Sequence, residues 1–224
     1  MTDQTIAVLD YGSGNLRSAA KAFEWVVADE KLPARVMVTR EAEDVARADR
    51  IVLPGQGAFA DCMNGLAALD GMLEALEERV LQRGVPFLGI CVGMQLMATR
   101  GLEHGMHAGL GWIPGEVVPI RSSDPSLKIP HMGWNDVHCT KEGAAHPVLQ
   151  GVTKSSGKTP IHFYFVHSFM FECKEVRHML AYAQYGEKVS AVVGRDNMIG
   201  VQFHPEKSQE AGLKLISDFL SWAP

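Results

Sequence analysis

Apolar residues in the first ninety positions fall into short blocks separated by stretches of helical period. Ile6-Ala7-Val8-Leu9 is a continuous run of strand length, preceded by a polar tetrapeptide. A turn at Tyr11-Gly12-Ser13-Gly14-Asn15 then leads into a predicted helix from about Leu16 to Ala28. Its inner face carries Ala19, Ala20, Phe23 and Val26 or Val27. Arg35–Val38 and Ile51–Leu53 read as the second and third strands. Met72 to Leu81 repeats with helical period and is stopped by Gly84, and Val85–Ile90 follows as another strand. Strands alternating with helices predict an α/β fold: a doubly wound, mainly parallel sheet with helices on both faces.

The pattern changes from about Gly109 to Phe203. β-branched and aromatic residues dominate, with turn signals at Gly115, Asp124-Pro125, Gly186-Glu187 and Arg195-Asp196-Asn197. Antiparallel strands added to the sheet are expected, among them Phe163–Val166, Ala181–Tyr185 and Ser190–Val193. A final helix is expected near Glu210–Trp222. No repeat or linker interrupts the chain, so residues 1–224 read as one domain.

Composition narrows the function classes. A formal charge of −5 without a basic cluster speaks against nucleic-acid binding. No apolar stretch is long enough to span a bilayer, and the immediate first strand leaves no room for a signal peptide. Cys62, Cys91, Cys139 and Cys173 are far apart, without C-x-x-C spacing. Reduced thiols in the cytoplasm, and no zinc site or disulfide framework, are therefore expected.

One cysteine stands out. Gly89-Ile90-Cys91-Val92-Gly93 directly follows an apolar strand, as a nucleophile elbow requires. The sharp turn lifts the nucleophile above the start of the next helix, whose dipole favours a thiolate. Downstream, His204-Pro205-Glu206 closes another apolar run, Ile199–Phe203. In an extended segment, residues two apart share a face, and the proline holds that geometry. Cys91, His204 and Glu206 thus form a candidate triad, although a surface histidine beside a solvated glutamate would give the same pattern. Gly12-Ser13-Gly14 lacks the third glycine of a dinucleotide fingerprint, because Arg17 stands there. Pro54-Gly55-Gln56-Gly57 follows the third strand and offers backbone N–H groups for an oxyanion, with Val92 N–H as the second donor.

These residues place the chain among known sequences. It resembles the class I (triad-type) glutamine amidotransferases from end to end, and most closely the glutaminase subunits of imidazole glycerol phosphate synthase. The carrying pieces are Asp10–Leu16, Leu53–Gly57, Gly89–Gln95, Pro130–Asn135, Tyr164–Ser168 and Phe203–Ser208.

The resemblance implies a nucleophilic Cys91, a proton-transferring His204 and an orienting Glu206. Gly55, Gln56 and Val92 would supply the oxyanion hole, while Gly57, Gln95, Glu103, Ser168 and Phe169 would contact L-glutamine. Two departures from the family pattern are visible. Gln56 replaces a residue that is often β-branched, and the stretch between Gln95 and Glu103 is more basic and glycine-rich than usual. No cofactor or metal is implied. The expected partner is a (β/α)8-barrel cyclase subunit that takes up the ammonia, with Asn15, Trp134 and Lys207 at the interface. Two other readings stay open: a glutaminase of another biosynthetic complex, and a non-catalytic scaffold or thiol sensor with the same fold.

Overall fold

The computed structural model describes residues 4–122, 124, 126–155 and 161–224, with backbone alone over 152–155. Four short apolar runs become the first parallel strands: β1 (Gln4–Leu9), β2 (Ala34–Thr39), β3 (Arg50–Gly55) and β4 (Phe87–Cys91). Between them lie helices α1 (Leu16–Asp29), α2 (Ala42–Val45), α3 (Phe59–Ala67) and α4 (Met72–Leu76). Ala19, Ala20, Phe23 and Val26 of α1 are buried, the face that the sequence period assigns to the core.

The remaining elements are α5 (Val92–Gln95), β5 (Ala98–Gly101), β6 (His107–Ala108), β7 (Ile113–Pro119), β8 (His131–Cys139), α6 (Lys141–Ala145) and α7 (Pro147–Ser155). After them come β9 (Ile161–His167), β10 (Phe169–Cys173), β11 (Met179–Tyr185), β12 (Glu187–Arg195), β13 (Met198–Val201) and α8 (Gln209–Ser221). One sheet has nine strands in the order β2-β1-β3-β4-β13-β12-β11-β8-β9. Its first five strands are mutually parallel and the others pair antiparallel. The helices touch one another in two groups, α6-α7-α8-α1 and α2-α4-α3-α5, as layers on opposite faces do.

One adjacency matters most for function. β13, from the far end of the chain, lies parallel beside β4, with Val201 opposite Ile90. β3 flanks β4 on the other side, with Gly55 opposite Cys91. The carboxyl ends of three strands therefore open side by side, where α/β sheets place their sites. Phe203, fully buried, stacks on Phe163 with centroids 3.9 Å apart and locks the chain after β13 against β9.

The structure departs from the sequence pattern in four places. The helix predicted over Met72–Leu81 widens into a π-helix at Glu77–Gln82. The Arg83 N–H bonds the Glu78 carbonyl five residues back, and the Asn197 side-chain amide donates to the Val80 and Val85 carbonyls at 2.8 and 2.7 Å, satisfying acceptors at and just beyond the end of the helix. Gly115 is not a turn but an interior position of β7. A Cβ there would lie 2.5 Å from the Glu172 carbonyl oxygen of β10, so close strand approach requires the glycine. The strand expected from Val85 begins at Phe87. β10, β7, β5 and β6 form a second, four-stranded sheet that the sequence pattern did not separate. Gly186 and Asp196-Asn197 do lie at hairpin turns, whereas Pro125 lies outside the described residues.

Candidate active site

Cys91 ends β4 and has φ +55° and ψ −113°, a conformation that costs a non-glycine residue about 1–3 kcal/mol. Both neighbouring glycines are required by contact. A Cβ on Gly93 would fall 1.8 Å from the Leu53 carbonyl oxygen, and one on Gly89 2.6 Å from that of Gly93. The elbow predicted from the sequence is present. The helix beyond it differs from expectation, because α5 is a single turn, Val92–Gln95. Local N–H groups, rather than the dipole of a long helix, are what this turn presents to the sulfur.

His204 follows β13 in extended conformation, and its backbone N–H donates to the Tyr164 carbonyl at 2.9 Å. Glu206 does not continue that extended segment. Pro205–Lys207 forms a 3₁₀ turn opened by the proline, whose fixed φ suits the first helical position. The turn still brings the pair together: His204 Nδ1 donates to Glu206 Oε1 at 2.9 Å, with both side chains buried. A surface histidine beside a solvated glutamate is therefore ruled out.

A carboxylate only accepts, so Nδ1 carries a proton and Nε2 is left as the exchangeable position. Nε2 is buried and has no hydrogen-bond partner among the described residues. Burial alone pushes the imidazole pKa down, but interactions with Cys91 and Glu206 outweigh it and raise the pKa to about 9. The shift favours the protonated imidazole at neutral pH, with the ring lining the same pocket as the sulfur.

Cys91 and His204 share one cavity of about 280 Å³. That is near the lower end of the roughly 300–1,000 Å³ typical of small-molecule sites, a size for an amino acid rather than a nucleotide. The predicted ligand-contact residues Gly57, Gln95, Glu103, Ser168 and Phe169 all line it, with Gln56 and Val92. The Glu103 carboxylate accepts the Phe59 N–H at the start of α3 at 2.8 Å. Gly55 stands behind the pocket wall, where a Cβ would lie 2.7 Å from both Gly93 N and the Tyr11 hydroxyl. Among the described residues no group of three or more His, Cys, Asp or Glu side chains is arranged to hold a metal ion.

The expected oxyanion segment is held from outside the pocket. Gln56 N–H donates to Ser13 Oγ at 3.3 Å, and the Gln56 carbonyl accepts from Ser13 Oγ and from the Cys62 thiol at 3.5 Å. Tyr11 OH donates to the Pro54 carbonyl at 2.6 Å. In this conformation the Gln56 N–H is committed to Ser13.

Sequence reasoning missed Gln202. Its side chain is fully buried, donates to Cys91 Sγ at 3.7 Å and accepts from Gln95 Nε2 at 3.0 Å. The signal was available: a polar residue interrupts an apolar run two positions before His204, on the same face of an extended segment.

The residues expected at an interface divide differently. Trp134 is 48% exposed and packs edge-on against Tyr164, and Lys207 Nζ lies 5.9 Å from the same ring. Ile129 and Met132, close to Trp134 in sequence, are exposed as well. Asn15 is half-buried at the start of α1, which packs against the 3₁₀ turn carrying Lys207.

The family model for glutamine amidotransferase class-I matches residues 7–222. The chain belongs to the class-I glutamine amidotransferases. Among curated relatives of this amidotransferase, the imidazole glycerol phosphate synthase subunit HisH of Rhodospirillum rubrum is 53% identical, covering 98% of this chain and 99% of that one. The HisH subunit of Cereibacter sphaeroides is 55% identical over 97% of this chain and 98% of that protein. Solved structures share the fold at low identity. A glutamine amidotransferase from Thermotoga maritima has a TM-score of 0.60 and 14% identity, covering 99% of this chain and 84% of that one. Another glutamine amidotransferase has a TM-score of 0.67 and 16% identity over 96% and 97%.

Proposed function

We propose that this amidotransferase, acting as a single glutaminase domain, hydrolyses L-glutamine for an imidazole glycerol phosphate synthase of histidine biosynthesis. One observation carries the reading: parallel β4 and β13 deliver a strained cysteine and a carboxylate-backed imidazole to one amino-acid-sized cavity. The names of its relatives supply the synthase.

The reaction follows from the geometry. Cys91 sulfur attacks the side-chain amide carbon, and the negative charge moves to the oxygen. His204 Nε2 gives its proton to the nitrogen as the C–N bond breaks, releasing ammonia and leaving a glutamyl thioester. Water then attacks the thioester with His204 as base, so glutamate leaves and the thiol is restored. Glu206 holds the imidazole orientation and stabilises its charge throughout. Val92 N–H and the Gly55–Gln56 backbone are the proposed oxyanion donors. The grip of Ser13 on the Gln56 N–H then supports a resting state with one donor withheld. Gly57, Gln95, Glu103, Ser168 and Phe169 would seat the substrate.

Ammonia released into water would be protonated and lost, which calls for an acceptor on a second polypeptide. We assign that role to a (β/α)8-barrel cyclase that converts phosphoribulosyl-formimino substrate (PRFAR) to imidazole glycerol phosphate and an aminoimidazole carboxamide ribotide. It would dock on the face carrying Trp134, Lys207 and Asn15. No described helix is long and apolar enough to cross a membrane. With four free cysteines, the working compartment is proposed to be the cytoplasm.

Glutamine hydrolysis measured with and without the cyclase and PRFAR tests this. The chain alone should be feebly active and strongly stimulated in the complex. Vigorous partner-free turnover, or unchanged hydrolysis by Cys91→Ala in the complex, would refute it.

A further inference from the structure

Two motifs of the sequence, Pro130–Asn135 and Tyr164–Ser168, contribute no side chain to the triad. β8 and β9 pair so that His131 lies opposite His167. Both imidazoles are buried, and His131 is sandwiched between Phe165 and Tyr185 at 4.7 and 4.0 Å. His131 Nδ1 and His167 Nε2 are 2.9 Å apart. Asn135 Nδ2 lies 3.1 Å from His131 Nε2, and His167 Nδ1 lies 2.8 Å from the Phe169 carbonyl oxygen.

The direction of every bond in this chain is determined. Asn135 Oδ1 accepts the Asp136 N–H at 2.8 Å, and Asn135 Nδ2 donates to the Gln184 carbonyl at 3.2 Å. These two partners fix the amide, so a nitrogen that only donates faces His131 Nε2. His131 Nε2 must accept, which leaves its proton on Nδ1, donated to His167 Nε2. His167 then carries its proton on Nδ1 and donates to Phe169. The same answer comes from the other end, because a carbonyl only accepts. A second proton on either ring would set two donors face to face. Burial agrees, pushing His131 down to about 4 and His167 to about 3, the latter also disfavoured by the charge of nearby His204.

The chain ends at the pocket. Phe169 carbonyl has two lone pairs; His167 occupies one, and Gln95 Nε2 donates to it at 3.2 Å. Gln95 also has a partner in Gln202, so it can exchange away, whereas His167 is tied to β8.

We infer that His131 and His167 are positioning residues, a one-directional hydrogen-bond relay that aims the Phe169 carbonyl at the α-ammonium of bound glutamine. The inference rests on the glutaminase reading above. The substrate ammonium replaces the Gln95 amide on the second lone pair, and the released Gln95 turns to the substrate.

Nitrogen NMR of ¹⁵N-histidine-labelled full-length protein reads the relay without any turnover. Both rings should show the Nδ1–H tautomer and stay neutral down to about pH 5. An Nε2–H tautomer, or titration of either ring near the ordinary histidine value of about 6.5, would overturn the proposal. The kinetic arm uses the cyclase complex. His167→Gln, which moves the amide away from Phe169, should raise the glutamine KM about tenfold with kcat little changed, the effect of losing one oriented hydrogen bond. His167→Asn places a donor near the Nδ1 position and should restore KM to within about twofold. Equal KM values for Gln and Asn variants of matched thermal stability would reject the relay. Failure of the wild-type complex to hydrolyse glutamine would instead reject the glutaminase reading, with the tautomers still readable.

Discussion

The two halves of the pocket are built in opposite ways. On one side, Cys91, His204 and Gln202 stand at the ends of adjacent parallel strands, buried and hydrogen-bonded to one another or to Glu206. On the other, Gln56 and Gly57 are exposed after β3, and their backbone is gripped by Ser13 and Cys62 rather than by a sheet partner. The attacking half is preorganised, and its strain is held by packing on every side. In the proposed mechanism the stabilising half is conditional, because the Gln56 N–H it would use is held by Ser13. An enzyme whose ammonia is useful only when an acceptor is loaded gains from this division, because a nucleophile without its oxyanion donors turns over slowly.

Removing the attacking half should have the largest effect. Cys91→Ala is expected to lower glutamine hydrolysis in the complex by about 10⁴-fold or more, measured as glutamate release. Glu206→Gln should lower kcat by about 10²–10⁴-fold, since the imidazole loses its orienting partner and its charge stabilisation. The same substitution carries a pH signature. His204 has a folded pKa of about 9, above its unfolded value of 6.5, so protonation favours the native state. That contribution is complete below pH 6.5 and fades as pH rises through about 9. The gap in urea midpoint between wild type and Glu206→Gln should therefore be widest near pH 6, where the carboxylate is ionised and the imidazole protonated, and should narrow as pH rises through about 9. A constant gap would mean that the pair is structural only.

Loosening the conditional half should work in the opposite direction. Ser13→Ala frees the Gln56 N–H and should raise partner-free hydrolysis about fivefold, the worth of about 1 kcal/mol for one hydrogen bond. Unchanged activity would show that Ser13 does not restrain the segment. The smallest effect separates strain from chemistry. Cys91→Gly, although inactive, should cost less than about 1 kcal/mol in urea unfolding despite removing a buried side chain, because relief of the strain at φ +55° offsets the added chain entropy of glycine.

The same division governs what the sequence revealed. The elbow was readable because its glycines flank the cysteine directly, and each is forced by a contact within a few residues or with the neighbouring strand. The meeting of Cys91 with His204 could be proposed from sequence, but only the fold establishes it, since it depends on β13 choosing β4 as neighbour across more than a hundred residues. Gln202 left a legible trace, a polar residue in a buried run, yet its purpose appears only when β4 lies alongside. The π-helix was invisible because its apolar spacing matches that of an ordinary helix, and the Asn197 amide that satisfies its end is remote in sequence. Gly115 misled because a glycine required by close approach looks the same in one dimension as a glycine required by a turn. The roles of Ser168 and Phe169 came through family resemblance alone; their backbone atoms leave no mark in side-chain pattern.

The central claim is that one thiol, poised by His204 and Glu206, attacks the glutamine amide. A glutamine-like diazo-ketone is the direct probe, with mass spectrometry of the intact chain and its peptides. The account predicts a single adduct, on Cys91, suppressed by excess glutamine and greatly slowed by His204→Ala. Labelling spread over Cys62, Cys139 and Cys173, or a Cys91 adduct formed as fast without the imidazole, would contradict it.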